Sequence, residues 1–264
     1  MIRVVGGVIT AERPELVVLF AGVPPRAFSR LVAIVARRGG RAVADGVNGR
    51  QWSLPLADRV LLVATYYRTN LTMRQLAPLF GVKTAAVHRI IDRLGPFLAL
   101  APAGRRYGPD SVLIVDGTLV PTRDTAVAAS SKNYRTSVNM QVLIDADTRL
   151  VVAVGQPTPG NHNDCTAWTE SRINRAAGHA TVLADGGYQG TGLLIPHRRK
   201  AGQVRLPAWK EDHNTAHRRV RARIEHTFAA MKCWKILRDC RRRGHGVYWA
   251  TAGVAHLHNL ALTG

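Results

Sequence analysis

The chain has 264 residues, 46% of them apolar and 20% charged, enough to bury a core for one large domain plus a small one and too apolar for a wholly disordered protein. Its 37 Lys and Arg against 17 Asp and Glu leave a net charge of +20, a positive field that suits polyanions, nucleic acid first because neutralising phosphates releases counterions; a ribosomal-type or merely basic protein is the plainer reading. Cys165, Cys233 and Cys240 include no C-x-x-C pair, which argues against a disulfide framework or zinc site, and the sequence shows no signal peptide, no amphipathic membrane-surface helix and no run near the ~18 apolar residues of a membrane span, so a soluble protein of a reducing cytoplasm is expected.

Residues 1–50 are weakly patterned, with one helix expected from Pro25 to Arg37, ended by Gly39 and Gly40; this N-terminal helical segment is assigned no function. From Leu54 to Leu100 the pattern is helical. Val60, Val63, Ala64 and Tyr67 repeat at i, i+3, i+4, i+7 and predict one apolar stripe. Thr72 with Gln75 forms a capping box opening a second helix, with Met73, Leu76, Ala77 and Phe80 on its apolar face and Gly81 at its end. A third helix, Lys83 to Leu94, turns Val87, Ile90, Ile91 and Leu94 inward and Lys83, Thr84, Ala85, His88, Arg89 and Arg93 outward, and is closed by Gly95 and Pro96. Two helices joined by a tight Gly turn, the second with a basic outer face, make residues 51–100 a helix-turn-helix candidate that reads DNA in the major groove through Lys83, Thr84, His88 and Arg89. An ordinary helical hairpin is the alternative, and Pro78 counts against a regular second helix.

Residues 101–109, with Pro102, Gly104, Arg105, Arg106, Gly108 and Pro109, read as a linker. The period then changes. Val112–Val115, Val138–Ile144 (broken only by Asn139 and Gln141) and Leu150–Val154 predict three buried strands, with a hairpin turn at Asp145, Asp147 and Thr148. Ala167–Ala177 reads as a helix, Thr181–Ala184 as a short strand and Ala216–Cys233 as a long helix. Residues 110–264 are therefore expected to form one α/β domain, a sheet covered by helices, preceded by an all-α helix-turn-helix domain.

Asp116 and Asp185 each end an apolar run and each precede a glycine. A carboxylate at the end of a buried strand is costly to desolvate without a cation or a hydrogen-bond network; alone, either could be a capping Asp in a turn. Glu225 lies on a helix whose Val220, Ile224, Phe228 and Met231 form the buried stripe. At about 100° per residue it shares one face with Arg218, Arg221 and Lys232, which by itself describes a solvated, salt-bridged face. Taken together, the three acids have the composition of a two-metal site, in which carboxylates hold hard ions such as Mg²⁺ through oxygen.

The segments Val115-Asp-Gly-Thr118, Pro159-Gly-Asn-His-Asn-Asp164, Leu183-Ala-Asp-Gly-Gly-Tyr-Gln-Gly190 and Arg221-Ala-Arg-Ile-Glu-His-Thr-Phe228, with Lys232, resemble the DDE transposases of bacterial insertion sequences, specifically insertion-sequence family five and the related Harbinger-like enzymes. The likeness spans roughly residues 50 to 260. It implies an RNase H-like catalytic domain with Asp116, Asp185 and Glu225 as catalytic and metal-binding triad. Two divalent ions are implied, Mg²⁺ with Mn²⁺ able to substitute, Asp116 bridging both. It further implies DNA contacts at Arg221 and Lys232, which Arg218 joins as a neighbour on the same helical face, a place near the site for His162 and Asp164 as supporting residues or as stabilisers of their loop, double-stranded DNA as partner, a homodimer or larger assembly, and a cytoplasmic, nucleoid-associated place in a bacterium. Gly186 departs from the Lys often found after the second Asp, and Ser130-Ser-Lys-Asn-Tyr-Arg135 from a Ser-Gly-Lys-Lys-type turn. The 39 residues between Asp185 and Glu225 leave no room for a large insertion domain. A catalytically silent DNA-binding relative and an RNase H-like nuclease or junction resolvase are the competing readings.

Overall fold

A computed structural model of the chain describes residues 7–44, 51–101 and 107–264. The core of the expected linker, 102–106, lies outside the described residues, as do the ends of the N-terminal segment at 1–6 and 45–50. Contacts divide the chain into two compact units, 1–100 with 231–264 and 101–230. The division is not collinear: the C-terminal stretch, expected within the α/β domain, groups with the N-terminal helices.

Among the described residues the named elements of the first unit are all helices. It contains α1 (Pro14–Ala21), α2 (Pro25–Gly39), α3 (Leu56–Thr69), α4 (Met73–Leu79), α5 (Thr84–Leu98) and, from the far end of the chain, α9 (Gly246–Thr263). The one-stripe reading of α3 is too narrow, because residues 59–67 are buried all round. A helix apolar on every side must be the centre of a bundle, and α1, α2 and α5 pack around this one. Even Arg59 is buried, donating to the carbonyls of Leu54 (3.1 Å) and Val43 (2.8 Å).

The capping box of α4 forms as its sequence predicts: Gln75 N–H donates to Thr72 Oγ1 (3.2 Å) and Thr72 N–H to Gln75 Oε1 (2.8 Å). Pro78 forfeits the one intrahelical bond its N–H would make to the carbonyl four residues upstream, in a helix that ends one residue later. Gly81 takes φ +63° in the turn to α5, the left-handed conformation that favours glycine. Gly95 and Pro96 do not close α5, which runs to Leu98. Packing and capping override the breakers: α5 lies against α9, Arg38 donates to the carbonyls of Phe97 (3.1 Å) and Ala99 (2.6 Å), and His256 Nδ1–H donates to that of Leu98 (2.9 Å).

The second unit carries a mixed sheet with strand order β3-β2-β1-β5, where β1 is Val112–Pro121, β2 Ser137–Asp145, β3 Val151–Val154 and β5 Thr181–Leu183; β4 (Thr158–Pro159) also pairs β2. β1 and β2 are antiparallel, β1 and β5 parallel. The β2–β3 hairpin is built on Asp145, whose Oδ1 accepts from the N–H groups of Asp147 (3.0 Å) and Thr148 (2.8 Å), an Asx turn. One face of the sheet buries Leu113, Val115, Leu143 and Ala184 with Trp168 and Ile173. The single helix expected over Ala167–Ala177 is two, α6 (Asp164–Glu170) and α7 (Asn174–Ala177), broken at Arg172, whose φ of +60° no α-helix accommodates. α8 spans Ala208–Met231, earlier at both ends than Ala216–Cys233. Among the described residues no single helix is long and apolar enough to cross a membrane.

Candidate active site

Ile114 pairs with Leu183 in the parallel β1–β5 ladder. The ladder ends there; Asp185 follows β5 by two residues, and it lies near enough to Asp116 for its charge to raise that carboxyl's pKa. Asp116 is half-buried. Its Oδ1 accepts from the N–H of Gly117 (2.8 Å) and its Oδ2 from Arg221 Nη1 (3.0 Å). The other arm of Arg221 donates to Glu225 Oε1 (2.7 Å), one turn along α8. A single guanidinium thus spans the first and third acids. Arg223, two residues further on, donates to the Ala146 carbonyl and anchors α8 to the β2–β3 hairpin.

Burial pushes the Asp116 carboxyl up to about 6; the Gly117 N–H and Arg221 oppose this, and the charges of Asp185 and Asp164 add to it. Desolvation and like-charge crowding are what an incoming cation relieves. Carboxylate oxygens suit hard divalent ions, and a guanidinium already stands where positive charge is wanted, so the donor chemistry fits a metal. Among the described residues, no three His, Cys, Asp or Glu side chains stand close enough together to hold an ion.

Behind these acids lies a polar network that the sequence reading missed. Asp164 Oδ1 accepts from Asn139 Nδ2 (3.1 Å) and Gln141 Nε2 (3.2 Å). Gln141 Oε1 in turn accepts from the buried phenol of Tyr188, whose ionisation is pushed far up by burial and by the nearby Asp164 and Asp116. Asn139 and Gln141 were visible as the only polar interruptions of an apolar strand, two residues apart and so on one face. Gly117 makes room for them: a Cβ there would lie 2.6 Å from Gln141 Nε2 and 2.7 Å from both Asn139 Oδ1 and Asp164 Oδ1. At Gly187 a Cβ would lie 2.9 Å from Asp185 Oδ1 and 3.3 Å from Asp164 Oδ2, so these two carboxylates face one another across a gap only a glycine leaves open. The Gly187 N–H donates to Asp185 Oδ1 (2.7 Å).

The remaining expected residues divide. Asp164 joins the acid cluster. His162 does not: its Nδ1 pairs with Glu170 Oε2 at 2.7 Å, which braces the turn before α6. Arg218 is exposed on α8 and donates to Thr215 Oγ1 (3.1 Å). Lys232 lies one residue past the end of α8, so the helical-face argument does not reach it; burial lowers its ammonium pKa, with Arg238 adding to this. In the helical unit, Lys83, Thr84, His88 and Arg89 are all exposed. His88 Nδ1 pairs with Asp92 Oδ2 at 2.6 Å, a contact the outward-face reading did not foresee.

Residues 107–260, more than half of the chain, match the family model described as transposase DDE domain, and residues 52–103 match that described as helix-turn-helix of DDE superfamily endonuclease. A protein of Streptomyces albus G named as the transposase for insertion sequence element IS112 is 62% identical over 258 residues, covering 98% of this chain and 99% of its own length. No solved structure matches.

Proposed function

Because the chain belongs to the DDE transposase family, DNA-cutting enzymes that use divalent metal ions, we propose that Asp116, Asp185 and Glu225 are its catalytic carboxylates and hold two Mg²⁺ ions, replaceable by Mn²⁺, at which insertion-sequence ends are cut and the freed strand is joined to target DNA. The observation that carries the reading is the clamp of Arg221 on Asp116 and Glu225, at 3.0 and 2.7 Å, with Asp185 close enough to raise the Asp116 pKa. It gathers residues from a strand and a distant helix around one positive charge. When bound, the ions supply Lewis acidity to the scissile phosphate and lower the pKa of the attacking water or 3′-hydroxyl.

The chain's own groups do the positioning. Asp116 on β1 and Asp185 just past β5 set one wall of the site, and the hydrogen bonds from Asn139 and Gln141 hold Asp164 beside it. Arg221, once released from the acids, offers a planar fork that matches two phosphate oxygens. Arg218 and Lys232 meet backbone phosphates, while Lys83, Thr84, His88 and Arg89 enter the major groove. No covalent enzyme intermediate is needed. Holding two element ends at once calls for a dimer or larger assembly.

The test is paired: cleavage of labelled element ends in Mg²⁺, and binding of the same DNA in Ca²⁺. Glu225→Gln keeps the shape and removes one negative charge, so cleavage should fall by orders of magnitude while DNA affinity holds or rises. A Glu225→Gln protein that cleaves at the wild-type rate would refute the triad. A wild-type protein that binds the ends but never cleaves them would leave a DNA-binding protein without catalysis.

A further inference from the structure

Between residues 197–206 and the first turns of α8, within the second unit, lies an open cleft of about 1030 Å³. Arg198, Arg199, Lys200, Arg205 and Arg218 line it, against Glu211 as the one acid. None of these five cations forms an ion pair among the described residues. Several are preset by neutral acceptors: Arg199 donates to the Val204 carbonyl (3.1 Å) and Arg218 to Thr215 Oγ1. Five uncompensated positive charges around one concavity repel one another, and a polyanion relieves that repulsion.

The cleft leads to the acids at two points. Arg198 donates to the carbonyl of Gly186, next to Asp185, and one turn beyond Arg218 on the same helix Arg221 holds Asp116. Against His197 of the cleft wall stands Trp209, 61% exposed, the two rings edge-to-face with centroids 5.2 Å apart and Lys210 Nζ over the indole at 5.2 Å from its centroid. Leaving an indole in water forgoes much hydrophobic stabilisation. Duplex DNA keeps its bases stacked inside and shows this ring only backbone; an unpaired base has a free face to lay on it.

We propose that this cleft holds a single strand of DNA, with phosphates on Arg199, Lys200, Arg205 and Arg218 and an unpaired base stacked on Trp209. The inference rests on the DNA-processing reading above and adds to it a place for strand separated from its complement beside the carboxylates.

The experiment measures anisotropy of labelled oligothymidylate, and of a blunt duplex of equal length, with the full chain in Ca²⁺ across a salt series. Trp209→Ala should weaken single-strand binding about tenfold, the worth of one stacked base, and leave duplex binding within about twofold. Trp209→Phe, which keeps a ring, should restore most of the loss. Replacing Arg199 and Arg205 by Ala should lower the single-strand salt slope by about one to two units. Unchanged single-strand affinity in Trp209→Ala, an equal loss on both DNAs, no rescue by Phe, or an unaltered salt slope each overturns the proposal. If that happens while the wild type cleaves element ends and Glu225→Gln does not, the catalytic reading stands alone; if stacking behaves as expected but the wild type never cleaves, the catalytic reading fails and the cleft stands.

Discussion

The outer face of α5 and the acid cluster on the sheet are both polar surfaces assigned to DNA, yet they are built in opposite ways. On and just before α5, Lys83, Thr84 and Arg89 are exposed; among the described residues Arg89 is tied to its own helix, at the Ala85 carbonyl (3.3 Å), and His88 pairs with Asp92. In the cluster, Asp116 has a fixed donor on each oxygen, and Asp164 is held by two side-chain amides. Long side chains left in water keep their rotamer freedom until DNA orders them, which suits groups that search for a register. Groups that must stabilise a transition state gain only if they are placed beforehand, because reorganisation at the moment of reaction adds to the barrier. On the proposed reading, the face meant for recognition holds its long cations in solvent, apart from His88 on Asp92, while the carboxylates meant for chemistry are held by fixed donors.

That contrast can be strained at either end. The largest effect should come from the rigid side. Asp164→Ala removes the acceptor that fixes Asn139 and Gln141, and cleavage of labelled ends in Mg²⁺ should fall about 10- to 100-fold, the usual loss when a supporting partner of a metal site is removed, with binding in Ca²⁺ unchanged. Full activity in that variant would mean the network is ornamental. A smaller and different loss is expected on the loose side. Lys83→Ala with Arg89→Ala should weaken binding to the element ends and lower the salt slope by about two units, with activity recovered at high protein concentration; an unmoved slope would make α4 and α5 structural only. The smallest effect concerns the scaffold beneath α5. Burial holds the His256 imidazole below its usual pKa, against the Leu98 hydrogen bond and with help from Arg38. The unfolded chain binds a proton near pH 6.5 and the folded chain only at lower pH, so stability is full above about pH 6.5 and is lost as pH falls from there toward the folded value. Thermal melts at pH 7.5 and 5.5 should show a drop that His256→Asn reduces; identical drops in both proteins would exclude this residue.

How far each region was legible follows from the same physics. Asp116 and Asp185 were visible because each closed an apolar run, and parallel pairing of those runs brings the two together. Glu225 was visible because helical period placed it among bases. The clamp itself was not, since Arg221 and Asp116 are 105 positions apart and periodicity carries no information at that range. The helical unit was harder. A stripe identifies a surface helix, but α3 is buried on every side and α9, with Ala250, Val254 and Leu257 all buried, has no polar face for a pattern to reveal. Pro96 signalled a helix end that Arg38 and His256 cancel, one from a helix far upstream and the other from a helix far downstream. In each miss a partner remote in sequence decided a local outcome.

Gly117 shows how narrow the tolerance of such a site is. Its backbone is ordinary extended strand, so the demand is for volume rather than conformation: every side chain, alanine included, would begin within 2.7 Å of Asn139, Gln141 and Asp164. In a saturation library of this chain, position 117 should therefore read like an active-site residue although it brings no functional group. The proposed catalytic centre thus depends on a residue that contributes no group to it, and restoring Asp116, Asp185 or Glu225 would not relieve crowding introduced at 117.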